Sequence, residues 1–208
     1  MNKYITVSKQ GEAEYIERRS KFIAAAYPVK TEQEAIDIIA HRRSKYWDAT
    51  HNVYAYALRE GSVKRYSDDA EPQGTAGIPT LDVITKSGVT DVLIVTTRYF
   101  GGILLGGGGL VRAYSHSAKI ALDAAGLVTM CPVTDCCITA DYSDYGKLDS
   151  LLSEHGVIDK SAEFTDVVTM RFSVETDGLG KLKSDVTDAS GGRIQVVEGN
   201  ERFAPVKI

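Results

Sequence analysis

The sequence predicts an α+β protein of two domains, residues 1–131 and 135–208. Three observations support this. Short β-branched or aromatic runs alternate with stretches of helical period along the whole chain. The charge balance changes near residue 131: residues 1–130 carry 16 Lys+Arg against 14 Asp+Glu, a net of +2, while residues 131–208 carry 8 against 14, a net of −6. The second part also runs strand, helix, strand, strand, helix, strand, which is the split-βαβ or ferredoxin-like order. A length of 208 residues accommodates either one large domain or two of about 100 each.

Taken in order, residues 4–7 and 12–17 alternate apolar and polar side chains, as half-buried strands do. Residues 22–29 form a stronger strand. Thr31 then caps a helix, with Glu34 completing a capping box and Ala35, Ile36, Ile38 and Ile39 as its buried stripe. The helix is expected to end in the basic segment 41–45. A polar-aromatic connection, residues 46–52, leads into a strand at 53–58 and a hairpin return through Lys64, Arg65 and Tyr66. Residues 67–79 hold three carboxylates, two prolines and two glycines, which reads as a loop. A short helix follows from about Thr75 to Gly88. The first domain is expected to hold a mixed sheet with helices on one face.

Residues 92–97 are a charge-free run suited to a strand buried on both faces. Arg98, Tyr99 and Phe100 interrupt it, followed by Gly101, Gly102, an Ile-Leu-Leu run and four glycines, Gly106, Gly107, Gly108 and Gly109. From Leu110 the period is helical, with Leu110, Val111, Tyr114, Ala118, Ala121, Leu122 and Ala125 facing inward and Gly126 as the stop. A strand at 127–131 closes the first domain at Pro132. The second is expected to hold strands at 136–142, 157–164, 167–174 and 193–198. Its helices lie about Leu148–Leu152 and Leu179–Ala189, and His155 packs on the first apolar stripe. The tail, residues 200–208, either crosses onto the first domain or stays loose.

Composition excludes several classes. With 43% hydrophobic and 25% charged residues the chain is an ordinary globular one, and no run approaches the roughly 20 apolar residues of a membrane span. The N-terminus has no apolar core of a signal peptide, so a cytoplasmic protein is expected. Cys131, Cys136 and Cys137 are an odd, clustered set, read as reduced thiols rather than a disulfide framework.

Strand, glycine loop and helix together point backbone N–H groups and the positive end of a helix dipole at an anion. Arg98 and Arg112 add positive charge beside that loop. The competing explanation is that the glycines only allow a tight turn or close helix–sheet contact. Neither the P-loop nor the dinucleotide fingerprint is present.

Three stretches resemble the YigZ/IMPACT family: residues 49–52 (ATHN), 67–79 (SDDAEPQGTAGIP) and 98–114 (RYFGGILLGGGGLVRAY). Ala70 departs from the glycine expected in its DDGEP pattern, which bears on the turn at that position. The resemblance implies a first domain similar to domain 2 of ribosomal protein S5. It implies a second domain like the C-terminal domain of translation factor G. In eukaryotic relatives an extra N-terminal domain restrains a translation-controlling kinase. This chain starts at the shared domain, so that activity is not expected of it.

The favoured expectation is a non-enzymatic RNA- or ribosome-associated protein linked to translation or stress regulation. Its phosphate- or nucleic-acid-binding surface would comprise Arg98, Tyr99, Gly101, Gly102, Gly106–Gly109, Arg112, Lys64 and Arg65. Tyr66, Tyr99 and Tyr114 are candidates for base stacking, although core burial is expected for Tyr114. The alternative for Arg98 and Arg112 is a structural ion network with the acidic loop. An enzyme acting on a nucleotide or phosphorylated substrate is a second reading. In it, His51, Asp68, Asp69 and Glu71 would supply acid–base chemistry or hold a divalent cation, the sole cofactor considered. No nucleophile, base and orienting group form a recognisable set, which ranks this reading lower. A third reading is a protein-interaction module. The expected partner is thus RNA or the ribosome, with a protein as the alternative and no membrane. The acidic and glycine loops are expected to face one cleft with His51 at its edge.

Overall fold

The structure, a computed structural model, describes residues 2–206. They form two compact units, one of Tyr4–Thr129 and the other of Met130–Val206 with residues 2–3. No helix among the described residues is long and apolar enough to cross a membrane.

In the first unit, five strands form an antiparallel sheet in the order β2, β3, β6, β4, β5. These are β2 (Gly11–Glu17), β3 (Ser20–Pro28), β4 (His51–Ala57), β5 (Lys64–Ser67) and β6 (Val92–Tyr99). β1 (Tyr4–Val7) stands apart from this sheet. β6 sits at the centre and is buried from Val92 to Arg98. Its side chains alternate between two cores, as the two-residue period of a strand requires. Val92 and Ile94 join Ala24, Ala26, Ala118, Ala121 and Leu122 beneath α2 (Gly77–Lys86) and α3 (Gly107–Ala125). Leu93 and Val95 join Val29, Ala35, Ile39 and Tyr56 beneath α1 (Glu32–Lys45). The sheet is therefore antiparallel, not mixed, and helices cover both faces, not one. A central strand with no polar face has to be covered twice.

Thr31 caps α1 through the Glu34 N–H at 3.2 Å, and the Glu34 carboxylate reaches back to the Lys30 N–H at 2.7 Å. Of the predicted stripe, Ala35 and Ile39 are buried and Ile36 is exposed. Arg42, read as part of a polar helix end, takes its place inside. It is 1% exposed and reaches Glu12 at 2.5 Å and the Ile23 carbonyl at 3.2 Å. α3 buries the predicted face except for Val111, which is exposed.

The second unit is built from β7 (Leu127–Ala140) from Met130 onward, α4 (Tyr142–Glu154), β8 (Ile158–Phe164), β9 (Val168–Glu175), α5 (Leu179–Ser190) and β10 (Val197–Val206). β7 lies between β10 and β9, with β8 beyond β9. Two features differ from expectation. The strands read at 127–131 and 136–142 are one 14-residue strand that runs through Pro132. Pro132 precedes the stretch that pairs with β9 from Val133 onward, so its missing N–H removes no rung of that ladder. The last strand is Val197–Val206 rather than 193–198. Ile194 is buried and Val196 half-buried in the helix-side core from an irregular connection, which is why their alternation imitates a strand. Residues 200–206 of the tail thus lie in β10, while Lys207 and Ile208 lie outside the described residues. His155 is packed, with Nε2 2.8 Å from Asp185. All three cysteines are free thiols.

Candidate functional site

The site begins with sheet register. β4 and β6 pair so that His51 stands opposite Arg98, which places an imidazole and a guanidinium side by side on one face. The acidic loop brings Glu71 to them. Glu71 is buried, and its Oε1 accepts from Arg98 Nη1 at 2.6 Å and from the Tyr114 hydroxyl at 2.7 Å. His51 Nε2 lies 3.7 Å from the same oxygen. Arg98 also donates to Ser20 Oγ at 3.2 Å, while its buried Nε has no acceptor. Tyr114 is fully buried, with its ring edge-on to Phe22 at 5.3 Å between centroids. Burial and then the Glu71 charge push its phenol well above the usual tyrosine range, so it stays a neutral donor.

The two aspartates hold the loop that delivers Glu71. Asp68 accepts from the Gly74, Ala76 and Gly77 N–H groups at 2.9, 3.1 and 2.7 Å. It thereby supplies α2 with the cap that Ala76 at the helix start lacks. Asp69 accepts from Arg43 at 2.7 Å and from the Asn52 N–H at 2.6 Å. Its carbonyl lies 2.7 Å from His51 Nδ1. A carbonyl only accepts, so Nδ1 carries a proton, and in the neutral form of the ring Nε2 is then an acceptor. Asp69 and Ala70 both have positive φ, 45° and 68°. Ala70 therefore occupies a left-handed position that suits glycine better.

The predicted divalent-ion cluster does not form. No three His, Cys, Asp or Glu side chains among the described residues are placed to hold a metal ion. Asp68 and Asp69 already accept backbone N–H groups and a guanidinium.

The glycine segment needs glycine for different reasons along its length. A Cβ on Gly101 would fall 2.0 Å from the Arg19 backbone carbon, so the β2–β3 turn leaves no room for one. Gly106 turns the chain into α3 with φ of 72°. Gly107, Gly108 and Gly109 then form the first turn of α3, not a loop before it. At Gly107 and Gly108 a Cβ would meet nothing closer than 3.9 and 3.6 Å respectively. Neither has positive φ, so fold geometry does not demand glycine at either position.

One cavity of about 370 Å³ takes its lining from both motif loops: Ala70–Pro72 on the acidic side, Leu104–Gly107 on the glycine side. His51, Arg98 and Phe100 also line it, with Thr50 and Leu110. A smaller cavity of about 230 Å³ shares Leu105 with it and is bordered by Arg18, Arg112 and His116. No ion pair engages Arg112 or Arg19 among the described residues, and both are exposed. Arg18 and Arg19 form the whole β2–β3 turn and both have positive φ, 44° and 67°, where Asn-Gly is the usual choice. The sequence reading missed this basic turn; its signal was the two-residue gap between alternating strands.

Other predicted residues lie elsewhere or serve the fold. Arg98 is a buried partner of Glu71 rather than a free phosphate ligand. Lys64 and Arg65 are on β5 at the sheet edge and line neither cavity. Arg65 lies 3.8 Å from Glu32. The Tyr99 hydroxyl donates to Asp48 at 2.8 Å, Tyr66 is exposed on β5, and Gly102 turns the chain with φ of 81°.

Known proteins are similar to this chain in sequence. Residues 18–122, which include both motif loops, match the Impact N-terminal domain. Residues 138–193 match a domain of unknown function, DUF1949. The chain is 36% identical over 200 residues to the IMPACT family member YvyE of Bacillus subtilis, covering 96% of this chain and 92% of that protein. It is 28% identical to the IMPACT family member YigZ of Escherichia coli, over 86% of this chain and 90% of that one. A crystal structure described as that of a hypothetical protein aligns over 97% of this chain and all of the other, with a TM-score of 0.61 and 26% identity. The matched domain contains the buried Glu71–Arg98 pair, the capped acidic loop and the glycine turn of α3, and on this similarity the chain belongs to the IMPACT family.

Proposed function

We propose that this chain is a non-enzymatic RNA- or ribosome-associated protein linked to the regulation of translation or the stress response. In this reading the first unit is an S5-domain-2-like fold and the second a ferredoxin-like one resembling the C-terminal domain of translation factor G. The β10, β7, β9, β8 order supports the latter.

The carrying observation is the first turn of α3. Gly107 and Gly108 cost helix stability, have room for side chains and stand exposed, with the Arg112 guanidinium beside Gly108 and Arg19 beside Gly101 on the same glycine segment; neither arginine forms an ion pair among the described residues. Glycine there lets a phosphate approach the first N–H groups of the helix, and the arginines add charge beside them. The test is co-sedimentation with ribosomes before and after RNase treatment, with RNA affinity measured against salt. Arg19→Ala/Arg112→Ala should flatten the log–log salt slope by about 0.7 for each phosphate of a single strand that is no longer neutralised. Ribosome binding that survives RNase and ignores these substitutions would point to a protein partner instead.

One observation favours a second reading, an enzyme acting on a nucleotide or phosphorylated substrate. His51, fixed as a tautomer with bare Nε2 beside Glu71, has the form of a general base. Turnover of nucleotide substrates, lost in His51→Asn, would establish it.

A further inference from the structure

Resting on the RNA reading, we propose that the cavity between the acidic and glycine loops receives one unstacked, amino-bearing nucleobase, with its phosphate at the first turn of α3. The cavity floor calls for a hydrogen-bond donor. In the neutral imidazole His51 Nε2 is an acceptor, because Nδ1 donates to the Asp69 carbonyl. Glu71 Oε1 is filled by Arg98 and Tyr114, and no hydrogen bond reaches its Oε2 among the described residues. In the neutral imidazole neither Nε2 nor Glu71 Oε2 carries a proton, and Nε2 lies 3.7 Å from Oε1 of that same carboxylate. A ligand amino group has two N–H donors and can satisfy both. Both residues line the cavity, so a ligand that displaces solvent from them without supplying donors loses those hydrogen bonds, and one lacking the amine would bind more weakly.

The walls call for an apolar ring. Phe100 is half-exposed and Leu104 is 81% exposed, and both line the cavity. An unpaired base can stack on an aromatic face in this way, whereas a paired base cannot leave its duplex without losing its partner. At about 370 Å³ the cavity lies within the range of roughly 300–1,000 Å³ usual for small-ligand pockets. The anion end is supplied by Gly106 and Gly107, which line the same cavity at a helix start with no side-chain cap. A single-stranded RNA nucleotide and a free nucleotide share this chemistry, and the test separates them.

The full chain is titrated calorimetrically with AMP, purine riboside 5′-monophosphate (the same ring and phosphate without the amine), a short oligoadenylate and a fully paired RNA hairpin. AMP and oligoadenylate should bind, and purine riboside monophosphate about tenfold more weakly than AMP. His51→Asn keeps an amide N–H for the Asp69 carbonyl but removes Nε2, and should narrow the difference between the two mononucleotides, leaving the share that Glu71 Oε2 supplies. Leu104→Asp, at an exposed position that spares the fold, should weaken every unpaired-base ligand. Binding of AMP without oligoadenylate supports the cavity chemistry with a free nucleotide as its source and counts against the RNA reading. Equal affinity for AMP and purine riboside monophosphate overturns the inference, as does no binding of either. If oligoadenylate then still binds, the RNA reading survives that failure.

Discussion

The two units hold cavities of nearly equal size, about 370 Å³ beside the glycine turn and about 390 Å³ on the sheet of the second unit, and they keep their charges differently. In the first unit Glu71 and Arg98 have side chains only 3% and 6% exposed. In the second, Arg202 bridges Asp135 at 3.0 Å and Asp159 at 2.6 Å with side chains 40–66% exposed. Cavity volume therefore does not separate a candidate site from a surface hollow, whereas the depth of its charges does. An exposed ion pair is held weakly and is screened by salt, but a buried pair must be satisfied by position.

Removing one partner from each network should give the largest contrast. Glu71→Ala leaves the Arg98 guanidinium buried without its anion and should cost about 3–5 kcal/mol. Arg202→Ala should cost about 1 kcal/mol or less. Urea midpoints read both, and equal losses would erase the distinction.

A smaller effect concerns the loop that carries Glu71. Ala70→Gly relieves a left-handed φ of 68° while freeing the unfolded chain, so a gain of up to about 1 kcal/mol is expected. A loss would mean that the Ala70 methyl group has a supporting role in the loop.

The smallest effect lies in the second unit. Hydrogen bonds from Ser173 and then Arg202 hold the Asp135 carboxyl below its ordinary 3.8. A folded-state value below the unfolded one contributes stability above 3.8 that is lost as pH falls through the folded value. The stability gap between wild type and Asp135→Asn should therefore narrow only below about pH 4, by well under 1 kcal/mol because the pair is exposed. A gap that instead widens on acidification would contradict the assigned direction.

Much of the fold was legible because periodicity reports burial directly. β6 reads as a doubly buried strand and α3 as an amphipathic helix, and both are so. β7 was less legible because Pro132 looks like a terminator until its ladder partner is known. The start of α3 was hidden by its own glycines, which as residues argue for a loop. In the site, both motif loops could be found by composition, yet whether Arg98 met phosphate or Glu71 depended on the His51–Arg98 register, a long-range fact. The Arg18–Arg19 turn went unread because arginine is not a turn former.

If a phosphate docks at the first turn of α3, Gly107 and Gly108 serve that ligand and not the fold. The most direct test of this is one paired measurement on Gly107→Ala/Gly108→Ala: thermal stability and affinity for single-stranded RNA. Alanine fits the space and favours the helix, so stability should rise by about 0.5–1 kcal/mol per site. The added methyl groups stand over the N–H groups that a phosphate must reach, so RNA affinity should fall about tenfold or more. A variant that is more stable and binds RNA as well as wild type would contradict the account, and a less stable one would return both glycines to the fold.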